Sequence, residues 1–302
     1  MQRLTRSTKS LTTSAQAILQ LFKAAFSNWT EDNASRLAAA LAFYATISLA
    51  PLLLILVSIS GWAFGPKAVT GELLHQMRGV LGPESAQLIQ DIVASAYHPK
   101  KGISSTVLGT IILLFGATGV FGSLQDGLNA VWEVTPKPAR GIVDLIRDRL
   151  LSLTMVLGVG FLLLVSLVIS AATSALAHYF GGILPIAPFA LRAADFVVSF
   201  GVVTLLFGLI YKVLPDVEIA WKDVLIGAVL TSLLFTIGKY AIGAYLGRSS
   251  VGTAYGAAGS LVVILLWIYY SAEIVFFGAE LTQVYVNRFG SRILPLSDEL
   301  PG

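Results

Sequence analysis

The chain has 302 residues, 56% of them hydrophobic and 12% charged, and a formal net charge of +3. Soluble domains carry about 25% charged residues, so this composition, with a mean hydropathy of +0.79, is that of a polytopic membrane protein. The absence of cysteine excludes disulfides, thiolate metal sites and cysteine nucleophiles, and the modest basicity does not suggest a nucleic-acid partner, because inner loops of membrane proteins collect Lys and Arg.

The N-terminal stretch MQRLTRSTKSLTTSAQ is basic but leads into no cleavable apolar core, so no signal peptide is expected. From Leu11 to Trp29 the residues Leu11, Ala15, Ile18, Phe22, Phe26 and Trp29 recur at helical spacing, while Gln16, Gln20, Lys23 and Ser27 take the other face. Such a helix either lies in the membrane interface or packs on the cytosolic ends of a bundle. Glu31-Asp32-Asn33 then offers a cap for a new helix start. Ala34 to Phe64 is the first expected span, with a kink at Pro51 whose freed carbonyl a serine or a neighbour must satisfy. Arg36, beside Asp32 and Asn33, reads as an interfacial anchor, with lipid-headgroup binding as the alternative.

Residues 65–102 form the longest polar segment. Val69 to Leu81 and Glu84 to Tyr97 read as two short amphipathic helices separated by Gly82-Pro83, a small cap on the outer face. Ile103 to Val120 is the second expected span. It runs on into FGSLQDGLNAVWEV, where Gln125, Asp126, Asn129 and Glu133 share one side. Leu150 to Ala172, Ala193 to Leu214 and Val224 to Leu246 are the third, fourth and fifth spans, and Lys239 falls inside the fifth.

Gly259 to Val286 holds the sixth span. Its apolar run is long enough to cross a bilayer as a helix, yet Glu273 sits near the middle and Glu280 near the end. Seven residues apart, the two share a face, about 10 Å from each other along the axis. A carboxylate at that depth costs several kcal/mol unless it is paired, wetted or protonated. The helix therefore belongs inside a bundle, with its glutamate face turned to protein or to a wet cavity.

The expected architecture is all-α: one polytopic membrane domain over 1–302, a helical bundle of six transmembrane helices with an N-terminal interfacial helix and a helical outer cap. With both termini in the cytoplasm, most of the 20 Lys and Arg fall on inner segments.

Several stretches resemble the YihY/BrkB family of bacterial inner-membrane proteins. They are DNASRLAAALAFYATISLAPLLL (Asp32 to Leu54), GSLQDGLNAVWEV (Gly122 to Val134), LIYKVLPDVEIAWKDVLIGAV (Leu209 to Val229) and YGAAGSLVVILLWIYYSAEIVFFGAEL (Tyr255 to Leu281). The match is in order and covers nearly the whole chain. It implies a plasma-membrane helical bundle. Some members are labelled ribonuclease BN or serum-resistance factors, and the family implies no substrate.

The polar positions admit two readings each. Glu273 is a proton-coupling or substrate-contacting carboxylate, or a buried glutamate bonded to Tyr, Ser or Lys of a neighbouring helix. Glu280, nearer the cytoplasm, lines the same transport cavity or pairs with Lys212 or Lys222. Lys239 reaches inward to a carboxylate or snorkels to the outer interface. Asp126 and Asn129 cap a helix end or line a path. The glycine pairs Gly243/Gly247 and Gly252/Gly256 allow close helix approach. GTAYGAAGS lacks the Lys-Ser/Thr end of a phosphate loop.

These features lead to a transporter or lipid/small-solute translocating protein without its own ATPase, in contact with membrane lipids. The alternative is a structural or accessory protein of envelope assembly. Ribonuclease activity is not supported. His75, His98 and His178 form no metal-ligand pattern, all three fall on segments expected outside, and the inner loops are too short for a groove. No cofactor, metal or catalytic residue is expected.

Overall fold

The computed structural model describes residues 2–64, 83–96, 119–134, 187–248, 258–290 and 294–295, with isolated helical positions at 71, 78 and 116. Helix α1 runs Gln2–Glu31 and α2 runs Ala34–Phe64. Helix α3 spans Pro83–Ala96, and residues 119–131 form α4. Helix α5 is Ala187–Val213, α6 is Trp221–Arg248 and α7 is Gly259–Phe289. The architecture is all-helical apart from one short antiparallel pair that sequence reading did not anticipate. Strand β1 (Val217–Glu218) pairs with β2 (Leu294–Pro295), Val217 opposite Pro295 and Glu218 opposite Leu294.

Among the described residues, three helices are long and apolar enough to cross a membrane: Phe196–Val213 of α5, Trp221–Tyr245 of α6 and all of α7. These are the expected fourth, fifth and sixth spans. The first expected span is helical over its full length, with its described apolar stretch at Ala34–Leu49. The third lies outside the described residues, as does most of the second, together with the three histidines and the first cap helix apart from positions 71 and 78. The helix expected from Glu84 to Tyr97 is present as α3, which packs on α2 and α7.

Helix α1 is longer than its apolar pattern implied, because residues 2–10 contain no Gly or Pro to stop it. It ends at Asp32-Asn33, where Asn33 takes φ 53°, a left-handed conformation that Asn tolerates. The Asn33 side chain turns back to the carbonyl of Glu31 at 3.1 Å, while its own carbonyl accepts from the Arg36 amide at 2.9 Å and so opens α2. At Pro51 the helix continues. Ser48 donates to the carbonyl of Ala45 at 3.1 Å, so it does not serve the carbonyl four residues before the proline.

Helix α7 is the axis of the molecule and packs against α6, α2, α1 and α3. Its crossing with α6 is reciprocal. Gly227 of α6 faces Thr282 of α7, and Gly278 of α7 faces Thr231 of α6, each so closely that a Cβ on the glycine would collide with the threonine. Each threonine hydroxyl is bonded to the carbonyl of its own helix's glycine four residues back, Thr231 to Gly227 at 2.8 Å and Thr282 to Gly278 at 2.7 Å. Small residues of this kind let helices approach without leaving polar groups unpaired in lipid. Tyr211 of α5 closes the junction, its hydroxyl donating to the Val275 carbonyl at 2.7 Å and meeting the Thr231 hydroxyl at 3.1 Å. Around it lies a core built from Leu128, Val131, Phe207, Ile219, Val224 and Phe276.

A groove and a carboxylate pair along the last helix

Glu273 lies fourteen residues into α7, about 21 Å from its start at 1.5 Å per residue. It lines a groove of about 300 Å³ between α1, α6 and α7. Each helix contributes a face at helical spacing. Helix α7 gives Tyr270, Glu273, Ile274 and Phe277, helix α6 gives Leu234, Ile237, Gly238 and Ala241, and α1 gives Phe26 and Trp29. Gly238 keeps the floor open, since a Cβ there would come within 2.7 Å of Ile274 and 2.9 Å of the Tyr270 hydroxyl. Phe26 is 60% exposed and Ile237 59%, so the groove opens on the side of the bundle.

The Tyr269 hydroxyl lies against the Glu273 carboxyl group, which fits the simplest packing role for this residue. That role is incomplete. Glu273 Oε2 is buried with no hydrogen-bond partner among the described residues, and so is the Trp29 indole N–H on the opposite wall. Among the described residues, no lysine or arginine lines the groove. Lys239, expected either to reach a carboxylate or to snorkel, sits over the ring of Tyr240 at 5.5 Å.

Glu280 continues the same face of α7 toward its C-terminal end and is fully buried. Its expected partner lysines are elsewhere. Lys212 donates to the Ile219 carbonyl at 2.7 Å, and Lys222 is exposed on the first turn of α6. What meets Glu280 is the α1–α2 junction, with Asp32 and Asn28 against it and Glu133 nearby. The Asn28 amide is engaged by Gln283 at 3.2 Å, and neither oxygen of Glu280 meets a donor in hydrogen-bond geometry among the described residues. Two carboxyl groups in contact do not both ionise without a large cost. Asp32 itself titrates above the ordinary carboxylate range because of burial, which the Glu280 contact offsets in part and the charges of Glu133 and Glu31 reinforce.

Asn129 is a structural clamp. Buried on α4, it donates to Asp216 Oδ2 at 2.9 Å and accepts the Asp216 amide at 2.8 Å, and Gln125 reaches the same carboxylate at 3.4 Å. It holds the α5–α6 loop just before β1. Asp126 points outward on the same helix, its carboxyl raised by burial and by the nearby Asp216. Arg36 and Asn33 are exposed at the α1–α2 junction. The polar sites thus separate into a groove at Glu273, a carboxylate pair at Asp32–Glu280 and a loop clamp at Asn129–Asp216. The Gly227/Thr231 and Gly278/Thr282 repeats were missed in the sequence. Their signal is Gly-x-x-x-Thr in two consecutive spans, a weaker pattern than the Gly-x-x-x-Gly pairs Gly243/Gly247 and Gly252/Gly256.

Long apolar helices around buried polar clusters define an integral membrane protein. A family model described as Virulence factor BrkB matches residues 25–299, and the chain belongs to that family. Several similar curated proteins are called UPF0761 membrane protein. One from Alcanivorax borkumensis is 27% identical over 85% of this chain and 58% of its own length. One from Tolumonas auensis is 29% identical over 83% and 80%, and one from Kangiella koreensis 26% over 85% and 61%. The chain thus spans about three fifths of two of these relatives. No solved structure matches the chain.

Proposed function

We propose that this protein is a transporter of the bacterial plasma membrane that moves a lipid or small amphipathic solute, without an ATPase of its own. The observation that supports it is Glu273: a carboxylate deep in a membrane-spanning helix, with one oxygen unpartnered, on the wall of an open groove. Ionisable groups at such depth mark substrate or ion paths, and a groove open on the side of a bundle suits a substrate that enters from the bilayer. On this reading both termini are cytoplasmic, α1 lies at the inner interface with Ile18, Leu19, Phe22 and Phe26 turned to lipid, and the chain is not an enzyme.

The test is flux through proteoliposomes. Exchange of NBD-labelled phospholipids is followed by dithionite quenching, and uptake of anionic, neutral and cationic amphipathic dyes is followed in parallel. At least one flux should exceed that of protein-free vesicles and be lost in Glu273→Gln, with the variant still monodisperse on gel filtration. No flux in either arm, or flux indifferent to Glu273→Gln, overturns the proposal and leaves an accessory role in envelope assembly.

A further inference from the structure

We propose that the groove between α1, α6 and α7 binds an amphipathic organic cation, one positive charge carried on a small aromatic or aliphatic body. The use of such a site rests on the transport reading above, but the binding itself does not.

The argument is one of charge and shape complementarity. Among the described residues, Glu273 is the one charged side chain on the wall, and its Oε2 is buried without a donor. An anionic ligand would be repelled there, and a neutral apolar one would leave the oxygen unpaired in a low-dielectric site. The opposite and adjoining walls carry four aromatic rings, Phe26, Trp29, Tyr270 and Phe277. Aromatic faces around a carboxylate are the surroundings that stabilise an organic ammonium or phosphonium, and cation–π attraction strengthens when the site is desolvated. Lys239 of the adjoining helix does not take the position, because it is turned onto Tyr240. The Trp29 N–H, buried without an acceptor, would also be satisfied by a ligand bearing a carbonyl or hydroxyl oxygen.

Size bounds the occupant. The volume of about 300 Å³ sits at the small end of ligand pockets, which run from about 300 to 1,000 Å³. It accommodates one compact body and not the two acyl chains of a phospholipid. The cationic body is what the groove selects, and the phosphatidylethanolamine arm of the experiment below separates a free organic cation from a lipid amine headgroup.

The experiment uses an isosteric pair of opposite charge, tetraphenylphosphonium and tetraphenylborate, with the full chain in phosphatidylglycerol nanodiscs. Saturable tetraphenylphosphonium binding is expected, with tetraphenylborate binding no better than to empty discs. Glu273→Gln should weaken the cation by about tenfold or more, since the pairing charge is lost. Phe26→Ala, at an exposed position that leaves the fold intact, should weaken it by about threefold to tenfold. Equal binding of the two ions, or cation binding that survives both substitutions, overturns the proposal. Loss of binding when phosphatidylethanolamine is added to the discs would give the groove to a lipid headgroup and overturn it equally. The two readings fail separately. Selective cation binding with no flux in proteoliposomes removes the transport reading alone. Lipid or dye flux without cation binding removes the present one alone.

Discussion

Thr231 of α6 packs directly onto Gly278 of α7, and Tyr211 reaches across from α5 to the same point. Three apolar helices therefore meet where there is no room for another carbon. Gly278→Ala should lower thermal stability, since over-packing a tight interface costs about 1–3 kcal/mol. Thr231→Ala placed on top should recover part of the loss, because it removes the nearest atoms, while the Tyr211 hydroxyl at 2.7 Å remains. Fluorescence-detected gel filtration after heating reads both. Strictly additive losses would show that the two positions do not touch.

The Asn129–Asp216 clamp gives a second expectation. Asn129→Ala removes two hydrogen bonds to a largely enclosed aspartate loop, and bonds to charged groups contribute about 1.5–3 kcal/mol. The melting midpoint in detergent should fall clearly. Asn129→Asp should fall further at pH 8 than at pH 5, since it sets one carboxylate against another. An unchanged midpoint in both variants would mean that β1 and its loop hold themselves.

Asp32 makes the stability pH-dependent in a stated direction. Its folded-state carboxyl titrates above its ordinary value of 3.8, so the folded protein holds that proton more tightly than the unfolded chain does. The contribution favours folding at acid pH and is lost as pH rises from about 3.8 through the raised value. Asp32→Asn should therefore gain on the wild type as pH rises from 4.5 to 8 in a series of melting curves. A gain that shrinks with pH would contradict the burial and the neighbouring Glu133 and Glu31 charges that raise Asp32.

Orientation can be read by single-cysteine labelling, because the chain has no native cysteine. Ser85 is buried on α3, whereas Gln87 and Asn287 are exposed. In intact spheroplasts an impermeant maleimide should modify Gln87→Cys and spare Asn287→Cys until the membrane is opened. The opposite pattern would invert the topology and move the open end of every site described above.

The chain by itself determined the helices and the membrane. Apolar runs of span length have no stable alternative to a helix in lipid, since every backbone group must be satisfied within the segment, and α5, α6 and α7 follow from that alone. It also marked Glu273 and Glu280 as out of place, because a carboxyl group in an apolar run is visible without a structure. Partners were another matter. Periodicity says which residues share a face but not which helix that face meets. Only the packed structure set Glu280 against Asp32 in place of a lysine, turned Lys239 onto Tyr240, and joined Asn129 to a loop 87 residues away. The same holds for Gly278 and Thr231. Their contact depends on the crossing of two helices, and that crossing is decided by how close small residues allow two backbones to come.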